Sequence, residues 1–369
     1  MMIKFDNVTK QFPKTKEPAV KNLSMEIPKG QVTVLVGPSG CGKTTSMKMV
    51  NRIYELTGGK IYVDGQDISQ MNPIELRLNI GYVIQEIGLF PHMSIADNVA
   101  TVLYEKKWPK DKIQERVDEL LDLMGLDPDI YRDRRPSKLS GGQRQRVGVA
   151  RAMAANPPIM LMDEPFAAVD PITRERLQNE FLELQEKLNK TIIFVTHDIN
   201  EAIKMGDMIA VMRDGSLIQY DTPKNLLQDP ADEFVENLVG SNRSVKSLSL
   251  VMVDDVLRKK VPTLPKDATL NKAKDKLDKS ELNIALVLEG QKEVAGFVSN
   301  IDVKEQGETV GDVYRPYSQM LTKENTLSEA LSIMLDEHTY HVAIVDDEGK
   351  FEGVITIEDV FRAVGTDEY

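Results

Sequence analysis

Apolar residues fall into two kinds of run along this 369-residue chain. The first kind is a short block bounded by polar and turn residues. Gln31–Val36 (QVTVLV), Lys60–Val63 (KIYV), Pro158–Met162 (PIMLM) and Ile192–Val195 (IIFV) are of strand length. Asp64-Gly65 and Asp214-Gly215 are hairpin-type turn signals. The second kind is spaced by three and four: within Asp111–Met124, residues Ile113, Val117, Leu120, Leu121 and Met124 share one helical face. A further helix is expected over Ile172–Leu188, between two buried strands. Strand–loop–helix units of this kind predict an α/β domain with a largely parallel core sheet, into which a helical stretch from about 95 to 151 is inserted. No run approaches the ~18 apolar residues of a membrane helix. MMIKFDNVTKQF lacks the apolar core of a signal peptide. The expectation is a chain that reaches a membrane only through a partner.

The pattern changes after Val239. Gly240–Ser247 (GSNRSVKS) is small and polar, and a linker is expected over 240–250. An internal repeat follows. Val253, Asp255 and Val256 recur as Val310, Asp312 and Val313, 57 positions on. Thr269, Leu270 and Ala273 recur as Thr326, Leu327 and Ala330, and Gly296 and Asp302 as Gly353 and Asp359, at the same offset. Ile284–Val287 match Val342–Val345 one residue further on. Two copies of one small βαβ-type unit are expected, over 251–306 and 307–369, packed against each other.

Composition narrows the partners. Lys and Arg total 46 against 58 Asp and Glu, a net charge of −12 that argues against nucleic acid. Cys41 is the single cysteine, which excludes an intramolecular disulfide and suits a reducing compartment.

Gly37-Pro38-Ser39-Gly40-Cys41-Gly42-Lys43-Thr44 fits the phosphate-binding loop G-x-x-x-x-G-K-[ST], with a strand before it and a potential helix, opening on Thr44-Thr45, after it. The glycines turn backbone N–H groups toward a β-phosphate, and the helix N-terminus adds its dipole. Lys43 supplies charge to the β- and γ-phosphates and Thr44 a hydroxyl to Mg²⁺. Asp163 and Glu164 end an apolar run, where ligands bind in open α/β sheets. Asp163 is expected to hold Mg²⁺, and Glu164 to polarise an attacking water. His197, at the end of the next strand, is placed to sense a γ-phosphate. Gln85, after YVI, can reach Mg²⁺ or the water with its amide.

Leu139-Ser140-Gly141-Gly142-Gln143 is a second glycine motif at a helix start, with Ser140 as N-cap and exposed N–H groups beyond it. Binding one γ-phosphate in cis would fold the insert back over the nucleotide. Two identical chains arranged head-to-tail satisfy it otherwise, each second loop closing over the other chain's ATP. LSGGQ and the motifs around it resemble the ATPase subunit of ABC transporters over about residues 1–239. The resemblance implies a homodimer binding ATP and Mg²⁺ through Gly37–Thr45 and Ser140–Gln143. It also implies that Phe12 stacks on adenine, although a strand-core phenylalanine would read the same, and that Asp170 crosses the dimer interface. Where the family often has S-A-L-D, this chain has Ala167-Ala168-Val169-Asp170, one hydroxyl fewer. QEIGLFPHMSIADNV, from Gln85, is similar to the segment by which bacterial importers meet permease subunits on separate chains.

Gly296–Asp302 and Gly353–Asp359 both fit G-h-h-[ST]-x-x-D and resemble a tandem CBS module of βαββα-type repeats. That resemblance implies cyclic di-AMP or an adenine nucleotide at Ser299, Asp302, Thr356 and Asp359; the same residues would serve equally as helix caps. An importer ATPase followed by two CBS copies looks like the energising subunit of osmoprotectant uptake, for quaternary amines such as glycine betaine, carnitine or choline. It implies an extracytoplasmic substrate-binding protein as a further partner, and a peripheral place at the cytoplasmic face of the membrane. Import of another small solute, a non-transport ABC ATPase and a nucleotide-sensing regulator are the competing readings. The second has little room here, since the gap between the two glycine motifs cannot hold a long coiled coil.

Overall fold

The structure is a computed structural model that describes residues 1–13, 15–84, 88–167, 169–280, 282–290 and 293–364, without the side chains of 186–188. The chain divides into two compact units, Met1–Ser241 and Asn242–Tyr369.

In the first unit a six-stranded sheet carries the phosphate-loop motif at its edge. Its order is Ser216–Asp221, Met208–Arg213, Val32–Val36, Thr191–Val195, Ile159–Asp163 and Ile80–Val83. All pairs are parallel except the first, which is the hairpin turned by Asp214-Gly215. Val32–Val36, Ile159–Asp163 and Thr191–Val195 are buried at every position, as expected of strands covered on both faces. A four-stranded antiparallel sheet, with Ile3–Lys10 between Val20–Ile27 and Gly58–Val63, packs its apolar face on the same core. At its Asp64-Gly65 turn both residues have positive φ, +49° and +77°, the backbone that a two-residue hairpin requires. The helical insert comprises Ile95–Glu105, Lys110–Leu123, Pro128–Tyr131 and Gly141–Met153. Ile113, Val117, Leu120 and Leu121 are buried on the face that the spacing predicts.

The second unit holds the repeats. In the first copy Thr263–Pro265 runs parallel to Ile284–Glu289, which pairs antiparallel with Glu293–Ser299, and the helix Leu270–Asp278 lies between. The second copy has the helices Leu327–Asp336 and Ile357–Ala363 and the hairpin His341–Val345 with Phe351–Thr356. Two features depart from a full βαββα pattern. The last helix of the first copy shrinks to the single turn Asp302–Lys304, because Lys304-Glu305-Gln306-Gly307 offers no apolar face. The first strand of the second copy shrinks to one bridge, Leu321 to Ile344. The segment expected as a linker is also structured: Arg243–Ser247 is helical, and Leu248 is buried against Val253 and Leu327.

The copies are held by a crossed exchange. Arg258, before the first copy's sheet, bridges the backbone of Val354 in the second; Arg315, 57 positions on, bridges Phe297 in the first. Glycine is required beside each crossing. A Cβ on Gly296 would stand 2.1 Å from the Arg315 carbonyl oxygen, and one on Gly353 2.8 Å from that of Arg258. Each arginine then pairs with an aspartate of the opposite copy, Arg258 Nε with Asp359 at 2.8 Å and Arg315 Nε with Asp302 at 2.7 Å. Between the copies lies His341, its Nδ1 2.8 Å from the Tyr317 hydroxyl and its ring edge-on to Phe297.

Arg258→Ala strands the buried Asp359 carboxylate and should destabilise the second unit by about 3 kcal/mol. Lys260→Ala, on an exposed lysine nearby, should change it by less than about 0.5 kcal/mol in the same denaturant titration. Burial lowers the His341 imidazole from its ordinary 6.5 to about 4. Between those values the unfolded chain binds the extra proton, so this stability is present above about pH 6.5 and is lost as pH falls toward 4. Thermal unfolding across that window should lose about 3 kcal/mol through this residue, and His341→Asn should flatten the slope.

Candidate functional site

The phosphate-loop residues leave the sheet after Val36 and enter the helix Lys43–Val50. Ser39 and Gly40 are exposed at the loop's tip, while Cys41, Gly42 and Lys43 are buried. Gly42 has φ +103°, and a Cβ there would come within 2.4 Å of the Ala19 carbonyl oxygen. The Lys43 ammonium turns back into the loop, donating to the carbonyls of Gly37 at 2.7 Å and Pro38 at 2.9 Å. The loop therefore folds around a cationic side chain. The Cys41 thiol lies 3.8 Å from that ammonium, and burial pushes its pKa up, so it is a filler rather than a nucleophile. Thr44 and Thr45 follow on the first helical turn, both partly exposed.

Register brings the acidic groups to this loop. Val195 sits opposite Leu35 on one side and Asp163 on the other, so three parallel strands end level. Thr44 Oγ1 donates to Asp163 Oδ1 at 2.7 Å, across 119 residues. Burial raises the Asp163 carboxyl pKa, opposed by the Thr44 hydrogen bond and by Lys48, whose ammonium stands 3.8 Å from the other oxygen. Glu164 takes a left-handed backbone, φ +45°, with its N–H on the Val195 carbonyl. That strained turn aims its carboxylate back along the edge, where it lies 3.4 Å from Nδ1 of the largely exposed His197. Among the described residues no cluster of three or more His, Cys, Asp or Glu could hold a metal alone. A hydroxyl and a carboxylate oxygen side by side suit Mg²⁺ shared with phosphates, because that ion takes few protein ligands.

Ser140 opens the helix Gly141–Met153 with a capping box. Its hydroxyl accepts from the Gln143 N–H, and its own N–H donates to Gln143 Oε1 at 2.9 Å. Gln143 also donates to the Tyr131 hydroxyl, and Ser140, Gly141 and Gly142 present the helix start at the surface. Asp170 is exposed and caps Pro171–Leu188; the Thr173 N–H on its carboxylate holds the pKa down. Phe12 lies beyond the strand end, partly exposed and edge-on to Tyr54 with a centroid separation of 5.3 Å, so it is not a core residue. Gln85 and Ala168 lie outside the described residues. Flanking 85–87, a groove of about 360 Å³ is lined by Arg77, Tyr82, Phe90, Arg151 and Pro157 among others. Lys48 was not marked by the motifs: it reads as an ordinary helical lysine until Asp163 folds beside it.

Residues 20–167 match the ABC transporter family, and residues 253–306 and 310–366 match the CBS domain. The glycine betaine/carnitine/choline transport ATP-binding protein OpuCA of Bacillus subtilis is 42% identical over all of this chain and 98% of its own length. The chain belongs to the ABC transporter family. The osmoprotectant import ATP-binding protein OsmV of Salmonella typhimurium is also 42% identical, over 96% of this chain and 94% of its own. Among solved structures, a dimeric ATP-binding cassette in a post-hydrolysis state bound to ADP and Pi shares 34% identity at a TM-score of 0.55. It covers 60% of this chain and 99% of that one. The ABC ATPase fold with a C-terminal CBS tandem, and ATP as the nucleotide, follow from this membership.

The hydroxyl–carboxylate pairs of the CBS copies are turned inward. Asp302 Oδ2 accepts from the Ser299 N–H at 2.7 Å and Oγ at 2.6 Å, while Oδ1 takes Arg315. Asp359 Oδ2 accepts from the Thr356 N–H at 2.9 Å and Oγ1 at 2.7 Å, and Arg258 covers both oxygens. Asp302 is 1% exposed and Asp359 5%. The carboxylates expected at a nucleotide site are engaged within the protein as cap acceptors and ion pairs.

Gly42→Ala should abolish nucleotide binding, because its Cβ meets backbone that cannot yield. Gly40→Ala, whose Cβ meets nothing within 4 Å, should weaken binding only about tenfold, the cost of its φ of +83°. Titration with a fluorescent ATP analogue separates the two.

Proposed function

We propose that this subunit hydrolyses ATP to drive import of a quaternary-amine osmoprotectant, of the glycine betaine, carnitine or choline class, through separate permease chains. Full-length similarity to ATP-binding subunits named for those solutes carries the reading. The level strand ends at Gly37, Asp163–Glu164 and His197 support it. Among the described residues no helix is long and apolar enough to cross a membrane. A peripheral position at the cytoplasmic face, on permease subunits fed by an extracytoplasmic binding protein, fits that. The groove beside 85–87 is the seat for a permease helix.

In this reading Lys43 leaves its loop carbonyls for the β- and γ-phosphates, and Thr44 and Asp163, with Gln85, hold Mg²⁺. The ion would neutralise charge on the phosphate oxygens. Glu164 accepts the proton of the attacking water, and His197 fixes the γ-phosphate against it. Phe12 stacks on adenine. Ser140–Gln143 of a second copy closes over the γ-phosphate with its helix N-terminus, and Asp170 meets that copy across the interface. The CBS pair regulates turnover. Cyclic di-AMP or an adenine nucleotide reaching Asp302 and Asp359 must first displace Arg315 and Arg258, so calorimetric titration of the full chain tests that role directly.

Glu164→Gln should cut ATP turnover by 10²-fold or more and accumulate an ATP-bound dimer on size exclusion. Wild-type turnover in that variant would overturn the assignment. ATP-dependent uptake of labelled glycine betaine, carnitine or choline by proteoliposomes holding the permease chains tests the substrate class, and silence for all three would redirect it to another solute.

A further inference from the structure

A second opening in the first unit lies between the helical insert and the core. The end of the helix Lys110–Leu123, the helix Gly141–Met153 and the helix Pro171–Leu188 enclose it. Its outer cleft has a volume of about 240 Å³. An inner pocket of about 50 Å³ shares Met124 and Leu184 with that cleft, and buried Val149, Phe166 and Phe181 wall it. None of the residues placed at the nucleotide lines either space.

Gln145 stands among these apolar walls. It is 3% exposed, and its buried amide nitrogen has no hydrogen-bond partner among the described residues. An unpaired buried donor is costly, and a leucine would fill the same wall without that cost. Packing alone therefore does not account for the amide.

The rim has its own character. Arg146 donates through Nη1 to the Met124 carbonyl at 3.1 Å and through Nη2 to Glu180 at 2.9 Å, so its charge is already matched. Asp122 and Glu183, both exposed, bring the lining of the outer cleft to three carboxylates against one guanidinium. Such a rim repels an anion and attracts a cation. Both volumes lie below the roughly 300–1,000 Å³ typical of pockets for drug-sized ligands, which limits the occupant to a small molecule.

We infer that this cleft is a binding site for a small amphipathic amine. A short hydrocarbon group enters the inner pocket, a carbonyl-type oxygen accepts from Gln145 Nε2, and an ammonium group sits at the rim beside Asp122, Glu180 and Glu183. The occupant lies between the helix that Ser140 caps and the helix that Asp170 caps, and touches both.

L-Leucinamide carries all three features and serves as the probe, titrated into the full-length chain labelled with ¹³C-methyl methionine. The Met124 resonance, assigned through Met124→Leu, should shift saturably with a Kd on the order of millimolar, the range open to so few atoms. Isopentylamine lacks the acceptor, and the carboxylate of L-leucine meets the acidic rim; each should bind at least about fivefold more weakly. Gln145→Leu should reduce leucinamide binding to the level of isopentylamine. The double variant Asp122→Asn, Glu183→Gln changes only exposed side chains and should weaken leucinamide about threefold; it decides the matter if Gln145→Leu does not fold. An unmoved Met124 resonance would overturn the site, as would wild-type affinity for leucinamide in either folded variant. Isopentylamine binding as tightly as leucinamide would likewise overturn it, since the Gln145 amide would then recognise nothing.

Discussion

The chemistry of the first unit depends on the register of one strand. Thr191–Val195 is hydrogen-bonded on both sides, and its last residue lies opposite Leu35 and Asp163 together. Parallel strands advance in step, so the chain leaves the sheet at one level at the phosphate loop, at Glu164 and at His197. A slip of one residue would invert every side chain between the two faces. Fully burying each Val, Ile or Leu is worth about 1.5–3 kcal/mol, whereas the Thr44–Asp163 hydrogen bond contributes only about 1 kcal/mol net. Apolar packing sets the register, and the polar groups are carried to their places by it.

The second unit reaches order by a different route. Its copies are each too small to cover their own sheets, and a shared cluster of Ile284, Leu286, Phe297 and Val354 forms between them. Glycine at 296 and 353 lets the lead-in of each copy lie against the strand of the other, and an arginine in each lead-in neutralises a buried aspartate. Each part of the G-h-h-[ST]-x-x-D motif therefore has a constructional role. The glycine admits the crossing strand, the hydroxyl caps, and the carboxylate caps and pairs.

Much of this was legible beforehand because it is local. The phosphate loop, the acidic strand end and Ser140–Gln143 are contiguous motifs whose geometry follows from a strand, a turn and a helix start. The helical face of Ile113, Val117 and Leu120 needs only periodicity, and the Asp64-Gly65 turn only residue type. The expected linker over 240–250, where the two units divide, is ordered for a long-range reason. GSNRSVKS is polar by composition, yet Leu248 just beyond it is drawn into the core of the repeats, and the segment orders with it.

The amino-acid sequence by itself determined the fold family, the nucleotide and the identity of the residues at its edge, since each of these rests on patterns within about ten neighbouring positions or on a fixed repeat. Only the tertiary structure decided which of those residues meet. Lys48 beside Asp163, Arg258 on Asp359, and Gln178 on Glu201 join segments separated in the chain, and no spacing rule marks them. A buried charge must find its counterpart wherever packing places one, and packing is settled by the whole core at once.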